Sequence, residues 1–180
     1  MNFIKKPTLI KGCCEIFPTI RKDARGAFVK IFHAPDFRSL GLATEFREAY
    51  YSVSRRGVLR GLHFQRPPEA IAKLLYCVEG EIVDAVLDLR RRSETYGKSI
   101  TIRLNAKKAN MLYVPKGCAH GFYTVSKRVV MLYHTTGVYS PEHDSGLLWN
   151  SAGIKWPSRK PILSPRDAAL PLFSGFKSPF

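Results

Sequence analysis

The chain has 180 residues, enough for one domain with a sizeable core, and its 45% hydrophobic and 12% aromatic content excludes a disordered or fibrous protein. Its charge is lopsided, 29 Lys and Arg against 14 Asp and Glu for a net +15. That charge is scattered, with arginine runs only at Arg55–Arg56 and Arg90–Arg92 and no nucleic-acid motif beside them, so a phosphate-bearing small substrate explains it better than DNA or RNA.

Taken along the chain, short apolar and period-two runs dominate, rich in Val, Ile, Tyr, Phe and Thr, and each reads as a strand. The first is "TLIKGCCEI" (8–16), the second "AFVKIF" (27–32). "APDFRSLG" (34–41) then reads as the one clear helix, with Asp36 as a candidate cap and Gly41 as its end. Seven further runs follow: "AYYSVS" (49–54), "GVLRGLHFQ" (57–65), "KLLYCVEGEIVDAVLDL" (73–89), "KSITIRL" (98–104), "NMLYVP" (110–115), "GFYTV" (121–125) and "VVMLYHTT" (129–136). Turn residues punctuate them, as in "EGE", "NAKKAN" and "PKG". "SPRDAALPLF" (164–173) is expected to make a single helical turn before Pro171.

Many short strands with Gly and Pro turns predict an all-β, antiparallel sandwich or barrel. No GxGxxG or GxxxxGK[ST] follows a strand, which excludes dinucleotide and P-loop folds. Residues 1–180 read as a single domain, with a Pro-rich tail from about residue 151 wrapping the barrel. Cys13, Cys14, Cys77 and Cys118 form no CxxC and no disulfide framework, so reduced thiols are expected. No apolar run reaches membrane-spanning length and the N-terminal stretch lacks the apolar core of a secretion signal, so the expected location is the cytoplasm, away from membranes.

"GVLRGLHFQ" places Arg60 and His63 in an apolar frame, and Lys73 opens the next strand after the "QRPPEA" loop. In a regular strand Leu59, Gly61 and His63 share one face, with Val58, Arg60 and Leu62 on the other. A glycine two residues before His63 permits close approach of a ligand or a second backbone. Gln65 stands where a second histidine would complete an HxH pair, so no metal is expected. Proton chemistry fits better: His63 can act as a base, a Lys or Arg can hold charge on a carbonyl oxygen, and Tyr133 or Tyr139 can return a proton. Any one of these alone is more simply a structural residue; it is their combination that points to a site.

Together, "GVLRGLHFQ", "KLLYCVEGEIVDAVLDLRRRSETYGK", "YVPKGCAHGF", "LYHTTGVYSPEHDSGLLWN" and "GIKWPSRKPILSPRDAALP" resemble the dTDP-4-dehydrorhamnose 3,5-epimerase family over nearly the whole chain. The resemblance implies a cupin-type jelly roll, homodimeric and free of metal and cofactor, acting on nucleotide-linked 4-keto-6-deoxy sugars in deoxysugar and polysaccharide biosynthesis. By motif, His63 is implied as the general base, Asp167 as its partner carboxylate, Lys73 as the cation facing the enolate oxygen and Tyr133 as the acid. His120 is implied in the sugar pocket, Tyr139 against the nucleotide base, and Arg25 and Arg60 on the diphosphate. Phe28, Glu48, Tyr50, Gln65 and Asp144 complete the implied substrate contacts.

The sequence departs from the family pattern at Lys30, where a Glu is usual, and at Glu48 and Tyr50, where Gln and Asn are common. Asp144 is a shorter carboxylate than the usual one. Those positions belong to the nucleotide end of the substrate, so a CDP- or GDP-linked sugar and inversion at carbon 3 or carbon 5 alone are open alternatives, as is a non-catalytic sugar-binding jelly roll.

Overall fold

The computed structural model describes residues 2–180. Its strands are β1 (Phe3–Pro7), β2 (Cys14–Pro18), β3 (Ile20–Asp23), β4 (Gly26–Val29), β5 (Glu48–Arg55), β6 (Leu59–Gln65) and β7 (Lys73–Glu79). They continue with β8 (Glu81–Asp88), β9 (Ser99–Asn105), β10 (Met111–Val114), β11 (Cys118–Thr124), β12 (Arg128–Thr135) and β13 (Asp144–Gly146). The helices are short: α1 (Ala34–Ser39), α2 (Pro165–Ala168) and one 3₁₀ turn (Phe173–Gly175).

The strands form two antiparallel sheets of a jelly roll, in the orders β1-β2-β10-β7-β12-β5 and β13-β6-β11-β8-β9, while β3 and β4 form a separate two-stranded sheet. Leu75, Cys77, Leu112, Met131 and Tyr133 from the first sheet meet Ile82, Val86, Leu104, Cys118 and Phe122 from the second. That cluster is the core between the layers. β8 is buried on both faces: Ala85 and Leu87 point away from it, toward a second cluster with Leu62, Phe64, Trp156, Phe173, Phe176 and Phe180. The second face explains why "EIVDAVLDL" reads as a nearly continuous apolar run. The tail also adds a parallel bridge from Ile162 to Val58, and the Arg91 N–H donates to the Phe180 carbonyl.

Three local expectations are corrected. Residues 8–13, read as part of a strand, form the turn between β1 and β2, where the Thr8 hydroxyl and the Cys13 N–H close the loop on the Ile10 and Cys13 carbonyls. The run at 27–32 stops pairing after Val29, and Phe32 packs edge-on against Phe37 of α1 at 5.0 Å instead. Asp36 does not cap α1; His33 is the N-cap residue, and the Asp36 carboxylate accepts from both nitrogens of Asn2.

All four cysteines are free and buried. Burial pushes the Cys14 and Cys77 thiols up to about 11 and that of Cys118 to about 12, so they stay protonated and unreactive at neutral pH. The arginine cluster is partly structural: Arg90 pairs with Asp88 at 2.8 Å, and Ser93 and Thr95 bond the same carboxylate. Among the described residues no helix is long and apolar enough to cross a membrane.

Candidate active site

The site begins with an irregularity in β6. Against β11, His63 pairs with His120 and Arg60 with Phe122, so three steps on β6 face two on β11. β6 therefore carries one extra residue, a bulge at Gly61 and Leu62. Gly61 has φ +129°, and a Cβ there would lie 2.5 Å from the Gly121 Cα, so a second backbone occupies the space a side chain would need. The bulge breaks the alternation. Arg60 and His63, expected on opposite faces, line one cavity, while Leu62 turns to the outer cluster.

That cavity, about 460 Å³, lies between the sheets and is also lined by Lys73, His120, Tyr133 and Asp167. His63 Nε2 lies 2.7 Å from Asp167 Oδ1. Asp167 is held by α2, where its N–H donates to the N-cap Ser164 Oγ at 3.0 Å and its Oδ2 accepts the Gly61 N–H at 3.3 Å. Burial opposes ionisation of this carboxyl, but His63, the Gly61 N–H and Arg166 outweigh it and hold the group below the usual carboxylate range. An ionised Asp167 can only accept, so Nε2 carries the ring proton and Nδ1 is the basic nitrogen.

The facing sheet supplies Lys73 and Tyr133, while His120 on β11 and Asp84 on β8 share the sheet of His63. Lys73 opens β7, and burial lowers its ammonium to about 8 against the opposing pull of Asp144 and Asp84. Tyr133, on β12, is buried; desolvation pushes its phenol well above the ordinary range, so it holds its proton at neutral pH. His120 Nε2 lies 2.8 Å from Asp84 Oδ2, with both side chains buried. Desolvation raises the Asp84 carboxyl despite His120 and Lys73, and its Oδ1 has no partner among the described residues.

A second lobe of about 370 Å³ adjoins the first and adds Glu48, Gln65, Tyr139 and Asp144 to its lining. Tyr50, His63, Lys73 and Arg166 line both lobes. Gln65 is spent on the backbone: its amide donates to the Glu69 and Val138 carbonyls and its oxygen accepts the Ser140 N–H. Glu48 accepts the Tyr139 N–H at 2.7 Å, and Asp144 accepts the Tyr139 hydroxyl and pairs with Arg166 at 2.7 Å. The departures at Glu48 and Asp144 thus serve to hold the exposed Tyr139 ring. Arg25 and Phe28 line neither lobe; they lie on the exposed β3–β4 hairpin, where Arg25 pairs with Asp23 at 2.7 Å. Lys30 follows that hairpin and is exposed.

A family model described as dTDP-4-dehydrorhamnose 3,5-epimerase matches residues 7–175. The chain belongs to that family. A Salmonella typhimurium dTDP-4-dehydrorhamnose 3,5-epimerase is 41% identical over 169 residues, covering 92% of each chain. A Streptomyces niveus dTDP-4-dehydrorhamnose 3-epimerase is 38% identical, covering 90% of this chain and 80% of the relative. The solved dTDP-6-deoxy-D-glucose-3,5-epimerase of Legionella pneumophila, in complex with dTDP-4-keto-L-rhamnose, superposes with a TM-score of 0.93 at 33% identity, covering 97% of this chain and 95% of that one.

For this epimerase-family chain, sequence reasoning missed Ser52, Asp84 and Arg166. Ser52 lies in none of the runs that resemble the family and Asp84 is one acidic residue inside a long one, and both meet their partners only across strands, at separations of 81 and 36 residues. Arg166 had a signal, its position beside Asp167 in "SPRD".

Proposed function

We propose that this protein epimerises carbon 3 and carbon 5 of a dTDP-linked 4-keto-6-deoxyhexose by proton abstraction and return through an enolate. The observation that carries the reading is the His63–Asp167 pair at 2.7 Å, in a cavity that Tyr133 and Lys73 also line from the facing sheet. The carbonyl at carbon 4 acidifies the C–H bonds on either side, because each carbanion delocalises onto its oxygen. His63 Nδ1 takes the proton, and Asp167 stabilises the imidazolium that forms. The Lys73 ammonium faces the enolate oxygen, with His120, held by Asp84, beside the sugar. Tyr133 donates its phenolic proton to the other face of the same carbon, and the centre inverts. No electrons are gained or lost, so no redox cofactor takes part.

The second lobe suits the nucleotide. Tyr139 is positioned by Glu48, Gln65 and Asp144 to stack on the base, with Tyr50 at the junction. Arg60 lines the first lobe, where it donates to Ser54 Oγ and the Val53 carbonyl, and it takes the diphosphate there, since a guanidinium fork matches phosphate oxygens. The functional unit is a homodimer. Its support is an apolar row on the outer face of the first sheet, where Tyr51, Leu132 and Tyr76 are cross-strand partners and Tyr51 is 68% exposed. Arg25 and Phe28, on their detached hairpin, reach the substrate of the partner subunit.

The test is solvent exchange. In heavy water the wild-type protein should place deuterium at carbons 3 and 5 of a dTDP-linked 4-keto-6-deoxyglucose and give inverted product. His63→Ala should lose about 10²–10⁴-fold of that rate while melting as the wild type does. Absence of exchange with the dTDP sugar would refute the proposal, and exchange with a CDP- or GDP-linked sugar in its place would refute the assigned nucleotide.

A further inference from the structure

Two side chains on the inward face of β5 have no part in the proton transfers described above, yet both contact the tyrosine that completes them. Tyr50 and Tyr133 are direct cross-strand partners, and their rings stack with centroids 4.7 Å apart and planes 15° from parallel. Ser52 lies one pleat further along, opposite Met131, and reaches diagonally so that its Oγ sits 3.1 Å from the Tyr133 phenol oxygen. Diagonal neighbours across an antiparallel pair lie within reach when one of them is aromatic. Tyr50 and Ser52 both line the same cavity as His63.

We infer that Tyr50 and Ser52 are positioning residues for Tyr133 that set how often the enolate is protonated on the far face and not returned to its original configuration, an inference that rests on the epimerase reading of the same cleft. Each contact restrains a different freedom of the phenol. Stacking on Tyr50 fixes the plane of the ring, and the Ser52 hydroxyl fixes the direction in which the oxygen points. A Ser52 O–H donating to the Tyr133 oxygen leaves the phenolic proton free for carbon and supports the phenolate left behind; the same hydrogen bond pulls the phenol down against burial. The enolate has two proton sources. The His63 imidazolium returns a proton to the face it left, and the Tyr133 phenol supplies one to the opposite face. Retention or inversion is decided by which of the two is better placed when the enolate forms. A misplacement of about 1 Å at a reacting group can cost about 10²-fold, whereas His63 is oriented by Asp167 of α2 and not by a residue of β5.

Heavy water separates the two outcomes. His63 exchanges its captured proton with solvent, so return to the original face yields deuterated but uninverted substrate, and delivery from Tyr133 yields inverted product. The wild-type protein, Tyr50→Ala, Tyr50→Phe and Ser52→Ala are each incubated with dTDP-4-keto-6-deoxyglucose. Deuterium is then counted separately in recovered substrate and in epimerised product at early times. Tyr50→Ala and Ser52→Ala should each raise the ratio of retained to inverted deuterium about tenfold, through inversion slowed more than exchange. Tyr50→Phe, which keeps the stacked ring, should bring the ratio back toward the wild-type value. Should the Ala variant of Tyr50 fail to fold, the smaller Ser52→Ala change carries the measurement. Exchange and inversion falling together, with the ratio unchanged, overturns the inference and assigns both residues a structural role. No exchange by the wild-type protein removes the epimerase reading and this inference with it, whereas normal wild-type turnover with unchanged ratios removes this inference alone.

Discussion

At the scale of single residues, the site depends on keeping charges where water would not leave them. Lys73 is the clearest case, because burial brings its ammonium to about 8 while a free lysine stays protonated to roughly 10.4. Below about 8 the ammonium is present and can hold an enolate oxygen; above it the group is neutral and that support is gone. Turnover should therefore fall as pH rises through about 8. Lys73→Arg, whose guanidinium stays charged, should move that limb out of range, and a limb that remained in the arginine variant would belong to another group. Stability should run the opposite way. Between the folded and unfolded values the unfolded chain binds a proton that the folded protein has released, so this group's contribution to stability rises with pH across that window. Urea melts of wild type and Lys73→Met at a series of pH values isolate it: the wild type should gain on the variant as pH climbs. Activity and stability moving in opposite directions would also separate loss of charge from alkaline unfolding.

At the scale of elements, the bulge in β6 brings Arg60 and His63 into one cavity, and it depends on a glycine. Gly61→Ala meets the Gly121 Cα at 2.5 Å in a backbone conformation that side chains rarely adopt, so it should cost more than about 3 kcal/mol, the upper end of backbone strain alone. Gly41→Ala, at φ +67° with nothing within 4 Å, should cost only about 1–2 kcal/mol. Chemical denaturation of the two variants compares clash with strain, and equal costs would mean that β6 and β11 can part without penalty. The contrast also marks what could be read from the sequence. Apolar and period-two runs marked β5, β7 to β10 and β12 nearly in full, because strand patterning is local, and "EGE" marked the β7–β8 turn; β11 was read only from Gly121, and the structure starts it at Cys118, so that it includes His120. A bulge is a relation between two strands, and nothing in "GVLRGLHFQ" alone states that its partner advances two residues where it advances three. His63 and Asp167 stood out by motif, but the Ser52–Tyr133 contact depends on the register of β5 against β12. The turn at residues 8–13 was hidden because Leu9, Ile10 and the cysteines look like strand residues, although Ile10 and Cys13 are buried there by the core and not by a ladder.

At the scale of the whole molecule, the arrangement of Arg25 and Phe28 makes a specific demand. The β3–β4 hairpin is exposed over residues 21–28, with Phe28 at 63%, and it belongs to neither large sheet. An isolated two-stranded hairpin is marginal in water, and an exposed phenylalanine and arginine on one strengthen the case for an occupant nearby. In the proposed homodimer that occupant is the partner subunit's cleft, so each site combines one chain's barrel with the other chain's hairpin. Complementation follows from that geometry. His63→Ala lacks the base in its own barrel, Arg25→Ala lacks the arm it gives away, and each homodimer should be nearly inactive. In the mixed dimer, the barrel of the Arg25→Ala chain keeps His63 and receives an intact arm from the His63→Ala chain, giving one complete site. Unfolding and refolding the two variants together in equal amounts should therefore recover about a quarter of the wild-type sites, since half the dimers are mixed and each has one good site of two. If each hairpin instead served its own barrel, the mixed dimer would contain no complete site and activity would stay at the level of the separate variants. Tyr51→Glu, in the apolar row of the outer sheet face, supplies the complementary measurement: it should shift the protein toward monomer in sedimentation and lower turnover at the same dilution, because a monomer keeps its His63–Asp167 pair but loses the arm.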